Sequence, residues 1–200
     1  MILPTHEIVL VDMDGVMARY DDGVQLQIPT LLGISVVTKR SFYVEDDYPK
    51  EYKDTIKGIS RVPGFIESLQ IEEGTIEALD HMRSSGLFPV VCTALPGNHP
   101  TAEAEKREWV HKHLVPHLGP YILETMIITH DKFKVPGIAI IEDRPVIRGA
   151  DEAFWTHIIF DQTWNQDAIG LRIPKWSNLA LLDTALEQCR YNYQRKLANI

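Results

Sequence analysis

Short apolar runs alternate along this chain with longer segments of helical period. The first run, Ile8-Val9-Leu10-Val11, is dense in β-branched residues and stops at Asp12. An uninterrupted run of this length reads as a strand covered on both faces. Pro89-Val90-Val91-Cys92, Met126-Ile127-Ile128-Thr129, Ile138-Ala139-Ile140-Ile141 and His157-Ile158-Ile159-Phe160 share its character. Between them, Thr75 to Met82 sets Ile76, Leu79 and Met82 on one helical face and stops before Gly86, a C-terminal signal. Thr101 to Leu114 spaces Ala102, Trp109, Val110 and Leu114 among charged residues, and Leu179 to Leu197 reads as a closing amphipathic helix. Strands alternating with helices predict an α/β layered fold with a mainly parallel sheet.

The stretch from Asp14 to Pro63 breaks this rhythm. It is aromatic and charged (Tyr20, Phe42, Tyr43, Tyr48, Tyr52), with helix-compatible pieces and no clean strand. An insertion directly after the first strand, at the carboxyl edge of the sheet, is where a lid over a ligand site would sit. We therefore expect a core formed by residues 1–17 and 61–200, with residues 18–60 as a small, mostly helical cap.

Composition narrows the setting. The 200 residues are 44% hydrophobic and 24% charged, a balance that supports one sizeable core and excludes a disordered chain. The formal net charge of −8 opposes general attraction to nucleic-acid polymers or anionic lipid. No apolar stretch reaches the ~18 residues of a membrane span. The opening Met-Ile-Leu-Pro-Thr-His-Glu lacks the basic region and apolar run of a signal peptide. Cys92 and Cys189 are the only two cysteines and show neither a pairing pattern nor zinc spacing, so a reducing, cytoplasmic compartment is expected.

The chemistry gathers where strands end. Asp12-Met13-Asp14-Gly15-Val16 closes the first strand; two carboxylates two residues apart can converge there, and Gly15 lets the backbone turn away. One carboxylate can attack phosphorus while the other handles the leaving-group proton. A polar turn would use the same residue types. Repetition at the other strand ends decides between these: Cys92-Thr93-Ala94, His130-Asp131-Lys132 and Glu142-Asp143-Arg144 would share one rim in a parallel sheet. Asp12, Asp14 and Asp143 can hold Mg²⁺, which favours carboxylates, waters and a phosphate oxygen. Lys132 can neutralise phosphate charge, and Thr93 with its neighbouring amides can donate to phosphate oxygens.

Taken in this order, Asp-x-Asp-Gly-Val, a strand-end Thr, a Lys and an acidic pair resemble the haloacid dehalogenase superfamily of phosphohydrolases. The likeness is closer to its 5′(3′)-deoxyribonucleotidase branch in Val11 to Val16, Pro63-Gly64-Phe65, Glu105 to Val110, Ile127-Ile128-Thr129 with Asp131-Lys132, Val146 to Gly149, and Trp176-Ser177. It spans nearly the whole chain and is weakest from about Asp21 to Ser60. The resemblance implies a Rossmann-like, mainly parallel sheet flanked by helices, with the cap inserted after the first strand. It implies Asp12 as nucleophile forming a phospho-aspartate. Asp14 would be general acid and then base, its carbonyl also reaching the metal, and Asp143 would complete the Mg²⁺ site. Thr93, Ala94, Lys106 and Lys132 would bind the phosphate, and Tyr20, Phe42 and Tyr43 would meet the nucleobase.

Two positions depart from that pattern. Ala94 stands where the branch carries Ser, which removes one hydroxyl donor, and Glu142 stands where Asp is usual. The expected activity is Mg²⁺-dependent hydrolysis of (deoxy)ribonucleoside monophosphates, with a homodimer as an open expectation. Three rivals stand beside it: a phosphatase for sugar phosphates or other small esters, a phospho-receiver domain, and a non-catalytic nucleotide-binding protein. Of the eight histidines, His111 and His113 are two apart and would face different sides of a helix. Cys92 reads as a buried strand residue, Trp155 and Trp164 as packing, and Arg190, Arg195 and Lys196 as a solvated helix face.

Overall fold

The computed structural model describes residues 7–199, so the opening segment weighed above for a targeting signal lies outside the described residues through position 6. Six strands form a single sheet: β1 (Ile8–Val11), β2 (Phe88–Thr93), β3 (Ile127–Ile128), β4 (Ala139–Glu142), β5 (Thr156–Phe160) and β6 (Leu171–Ile173). All pairings are parallel, in the order β3-β2-β1-β4-β5-β6. The chain winds outward from β1 to one edge, then restarts at β4 and winds to the other. Ligands in such sheets bind beyond the carboxyl ends of the strands at this switch point, here between β1 and β4.

The apolar runs become strands because both faces of the sheet are covered. Val9 and Val11 face the larger core, with Leu79, Trp109, Ile141, Trp176 and Leu186. Ile8 and Leu10, one residue out of phase, face a second core with Val90, Cys92, Ile140 and Trp155. Period-2 alternation thus sends each strand into two separate cores. The helices α1 (Tyr20–Leu32), α2 (Lys50–Ile59), α3 (Thr75–Ser84), α4 (Ala102–His113), α5 (Val115–Leu118), α6 (Tyr121–Glu124) and α7 (Leu179–Leu197) complete the chain, with 3-10 turns at Val44–Asp47 and Lys132–Lys134. Between β1 and α3 the described residues contain α1, one 3-10 turn and α2 but no strand.

Two features differ from the sequence pattern. β6 is three residues long, too short to show a period, and it forms because β5 offers it an edge. The expected solvated face of α7 also needs correction at Lys196, whose ammonium donates to the carbonyl of Ala153 at 2.8 Å. It ties the last turn of α7 to the loop before β5. Among the described residues no helix is long and apolar enough to cross a membrane.

Candidate active site

The register of β1 on β4 sets Val11 opposite Ile141, and the Asp12 amide donates to the Ile141 carbonyl at 2.9 Å. Asp12 therefore leaves the sheet beside Glu142 and Asp143. Carboxylate oxygens of Asp12, Glu142 and Asp143 lie within 4.8 Å of one another, and all three residues are buried. The Lys132 ammonium stands among them, 2.7 Å from Asp12 Oδ1 and 2.5 Å from Glu142 Oε2. Its backbone is fixed from below, because the Trp155 indole N–H donates to the Lys132 carbonyl at 3.1 Å.

Three carboxylates against one ammonium leave a charge imbalance, and the titration behaviour shows it. Burial raises the Asp12 carboxyl, but Lys132 and Lys106 outweigh it and hold Asp12 below its ordinary value. Glu142, buried and facing Asp12, is pushed up to about 7. Burial, then Glu142 and Asp12, push Asp143 well above the carboxylate range. Burial lowers Lys132, but Asp12 and Glu142 overcome it and keep the ammonium charged. Of the three carboxyls, Asp12 is thus the one whose ionised form its neighbours favour.

Gly15 makes this crowding feasible. Its φ is +74°, and a Cβ added there would stand 2.5 Å from Asp143 Oδ2, so only glycine lets the β1 turn pass under the acidic loop.

Asp14 turns the other way. Its Oδ2 lies 2.7 Å from Lys106 Nζ, which also donates to the Thr93 hydroxyl at 3.0 Å. Lys106 is wholly buried, on the stripe of α4 that also buries Ala102, Glu105, Trp109 and Val110. Asp14 Oδ1 is enclosed without a hydrogen-bond partner. Thr93 ends β2, where its carbonyl accepts the Thr129 amide at 2.8 Å.

A cavity of about 900 Å³ opens above these residues, with Asp12, Asp14, Thr93, Lys132 and Asp143 on its floor. Ala94, Tyr20, Phe42 and Tyr43 also line it. Lys106 lies beneath and reaches the site through Asp14 and Thr93. Tyr20 packs edge-on against Phe65, with centroids 5.5 Å apart, and Phe42 meets Tyr43 edge-on at 5.0 Å. The Arg144 guanidinium sits 4.4 Å from the centre of the Phe42 ring. Cys92 lies behind the floor, outside the lining of the cavity, and burial pushes its thiol up to about 12.

Residue spacing did not reveal Lys39, Gln162 or Asn165. Gln162 donates to the Gly15 carbonyl at 2.8 Å and Asn165 to the Asp143 carbonyl at 2.8 Å. Glu142, which stands where Asp is usual, joins Asp12 and Asp143 in the acidic trio. The signal for it was adjacency to Asp143 at a strand end.

The strand-end residues therefore meet in one place, and the whole chain can be set beside known proteins. The family model described as "5′ nucleotidase, deoxy (Pyrimidine), cytosolic type C protein" matches residues 6–186. This chain belongs to that 5′(3′)-deoxyribonucleotidase family. It is 29% identical over 183 residues to the human cytosolic-type 5′(3′)-deoxyribonucleotidase, covering 85% of this chain and 89% of that one. With the human mitochondrial 5′(3′)-deoxyribonucleotidase it shares 31% identity over 167 residues, 79% of this chain and 72% of the other. A Bordetella bronchiseptica protein named for the same activity is 32% identical over 175 residues, covering 86% and 92%. Among solved structures, a haloacid dehalogenase-like protein of Agrobacterium tumefaciens matches with a TM-score of 0.58 at 14% identity, covering 90% of this chain and 99% of that one. A haloacid dehalogenase family hydrolase of Deinococcus radiodurans matches at 0.56 and 14%, covering 92% and 96%. These two speak to the fold, which is the α/β architecture expected. Family membership makes the chain an enzyme, a phosphoric monoester hydrolase, and removes the receiver-domain and non-catalytic alternatives.

Proposed function

We propose that this enzyme removes phosphate from (deoxy)ribonucleoside monophosphates in a Mg²⁺-dependent reaction through a phospho-aspartate on Asp12. The observation that carries this reading is the placement of Asp12: ionised, fixed by Lys132, and facing a cavity that has both an acidic floor and an aromatic wall. In the first step an Asp12 oxygen attacks phosphorus and the P–O ester bond breaks. Asp14 gives a proton to the departing alkoxide. Water then attacks the phospho-aspartate, Asp14 takes a proton from it, and phosphate leaves with Asp12 restored. Lys106 holds Asp14 by Oδ2 and so fixes the carboxyl group that would carry that proton. Thr93 and the amide of Ala94 would donate to phosphate oxygens, and Lys132 would offset their charge.

The residues fit a divalent cation. Crowded carboxylates, two of them pushed upward, are relieved by positive charge, and hard oxygen donors suit Mg²⁺. Asp12 and Asp143 would supply side-chain ligands and Asp14 its carbonyl, while Glu142 holds Lys132. When bound, the ion would neutralise charge on the transferring phosphoryl group.

In this reading residues 18–60 act as a cap over a core of residues 1–17 and 61–200, and Tyr20, Phe42 and Tyr43 receive the base. Free, buried Cys92 and Cys189 agree with a reducing, cytoplasmic setting. The test is phosphate release with Mg²⁺ from a panel of ribo- and deoxyribonucleoside 5′- and 3′-monophosphates, with sugar phosphates alongside. Release from nucleotides is expected; release from sugar phosphates alone would leave the Asp12 chemistry and overturn the substrate class.

A further inference from the structure

The cap meets the core at a contact that the chemistry above does not use. The Lys39 side chain is only 7% exposed, and its ammonium lies 2.6 Å from Asp21 Oδ1. The same nitrogen stands 3.3 Å from the centre of a Trp164 ring. The Thr163 hydroxyl donates to the Lys39 carbonyl at 2.7 Å. Asp21 and Lys39 belong to the cap, whereas Thr163 and Trp164 lie on the core loop that follows β5. A buried ammonium needs a carboxylate, an aromatic face or both to offset its lost hydration, and Lys39 has one from each side of the boundary.

Both partners of this contact are tied to the site. The backbone amides of Arg40 and Ser41 donate to Asp47 Oδ2 at 2.8 and 3.1 Å, and the Ser41 hydroxyl donates to Asp47 Oδ1 at 2.8 Å. The segment from 40 to 47 is therefore folded on itself, with Phe42 inside it and Lys39 as its root. On the core side, the loop that carries Trp164 also carries Gln162 and Asn165, which hold the carbonyls of Gly15 and Asp143.

We propose that Trp164 is a positioning residue for the substrate: by gripping Lys39 it registers the Phe42 segment of the cap against Gly15 and Asp143. The span between the phosphate site and the aromatic wall is then set by one core loop. This deepens the reading above and rests on it in one respect, that Phe42 meets the base.

Two variants separate positioning from general damage. Trp164→Leu removes the aromatic face, and Trp164→Phe keeps a smaller one. For the nucleoside monophosphate that the wild type turns over best, the Leu variant should raise KM about tenfold and the Phe variant less than about threefold. The kcat/KM for p-nitrophenyl phosphate, which has no base to place, should stay unchanged in both. Equal losses on both substrates, or an unchanged nucleotide KM in the Leu variant, would overturn the proposal. Should Trp164→Leu fail to fold, Thr163→Val removes only the hydrogen bond to the Lys39 carbonyl and is expected to shift KM in the same direction. If the wild type hydrolyses p-nitrophenyl phosphate but no nucleotide, the substrate reading has failed and the anchor is judged separately by trypsin. Severalfold faster cleavage after Lys39 or Arg40 in Trp164→Leu supports the grip, and cleavage at the wild-type rate refutes it.

Discussion

Lys106 Nζ lies 2.7 Å from Asp14 Oδ2 and 3.0 Å from the Thr93 hydroxyl, so one buried ammonium joins the proposed acid–base residue to the proposed phosphate donor. Lys106→Met keeps the volume and removes the charge. We expect kcat to fall by about 10²-fold or more, the scale of a misplaced general acid. Steady-state kinetics with circular dichroism to confirm folding would check it. Near-wild-type kcat would detach Lys106 from the chemistry.

Asp12→Asn removes the proposed nucleophile with almost no change in volume, and Lys132 keeps Glu142 as a partner. Turnover should drop by more than about 10³-fold, while the thermal midpoint stays within a few degrees of the wild type. Residual activity well above that level would exclude a covalent phospho-aspartate.

Gly15→Ala puts a methyl 2.5 Å from Asp143 Oδ2 at a φ of +74°. The acidic loop has to move, at a stability cost of about 1–3 kcal/mol. The half-saturating Mg²⁺ concentration should rise severalfold in a titration of activity. A variant that is destabilised yet keeps the half-saturating Mg²⁺ concentration of the wild type would separate Gly15 from the proposed metal site.

Phe42→Ala should raise KM for nucleotides by about tenfold, the scale of one lost stacking partner. The loss on p-nitrophenyl phosphate should be smaller. Equal losses would show that Phe42 does not meet the base.

Glu105 links the segment after α2 to α4, accepting the Ile66 amide at 3.0 Å and the Thr101 hydroxyl at 2.5 Å. Burial raises its carboxyl, but the hydrogen bonds from Thr101 and the Gly64 and Ile66 amides outweigh it and hold Glu105 below its ordinary 4.5. Folded Glu105 therefore binds its proton less readily than unfolded Glu105. Its contribution is complete above the unfolded value of 4.5 and is lost as pH falls through the lower folded value. Glu105→Gln should cost about 1–3 kcal/mol at neutral pH, and the gap to wild type should narrow below pH 4.5. Denaturant melts at several pH values would show it; a gap independent of pH would assign the effect to shape alone.

Five of the six strands and the long helices α3, α4 and α7 were legible from the apolar pattern, because a doubly covered strand and a one-sided helix each impose their own period. The strand-end acids, Thr93 and Lys132 were legible for the same reason, since parallel strands bring their carboxyl ends to one rim. Hidden in α4 was the burial of Glu105 and Lys106. They fall on the apolar stripe of that helix, but charge normally marks a solvated face, and only partners from β2, from the turn after β1 and from the segment after α2 reverse that rule.

Local periodicity and the residue types at strand ends set the layered α/β architecture and the rim on which the chemistry collects, and the resemblance of motifs along the chain pointed to its family. The tertiary structure alone decided which charges meet. It turned Asp14 toward Lys106 and set Glu142 with Asp12 and Asp143. It also seated Lys39 on Trp164, across 125 positions of chain. Such pairings depend on desolvation and on distances of a few ångströms between distant segments, and the spacing of residues along a chain carries neither.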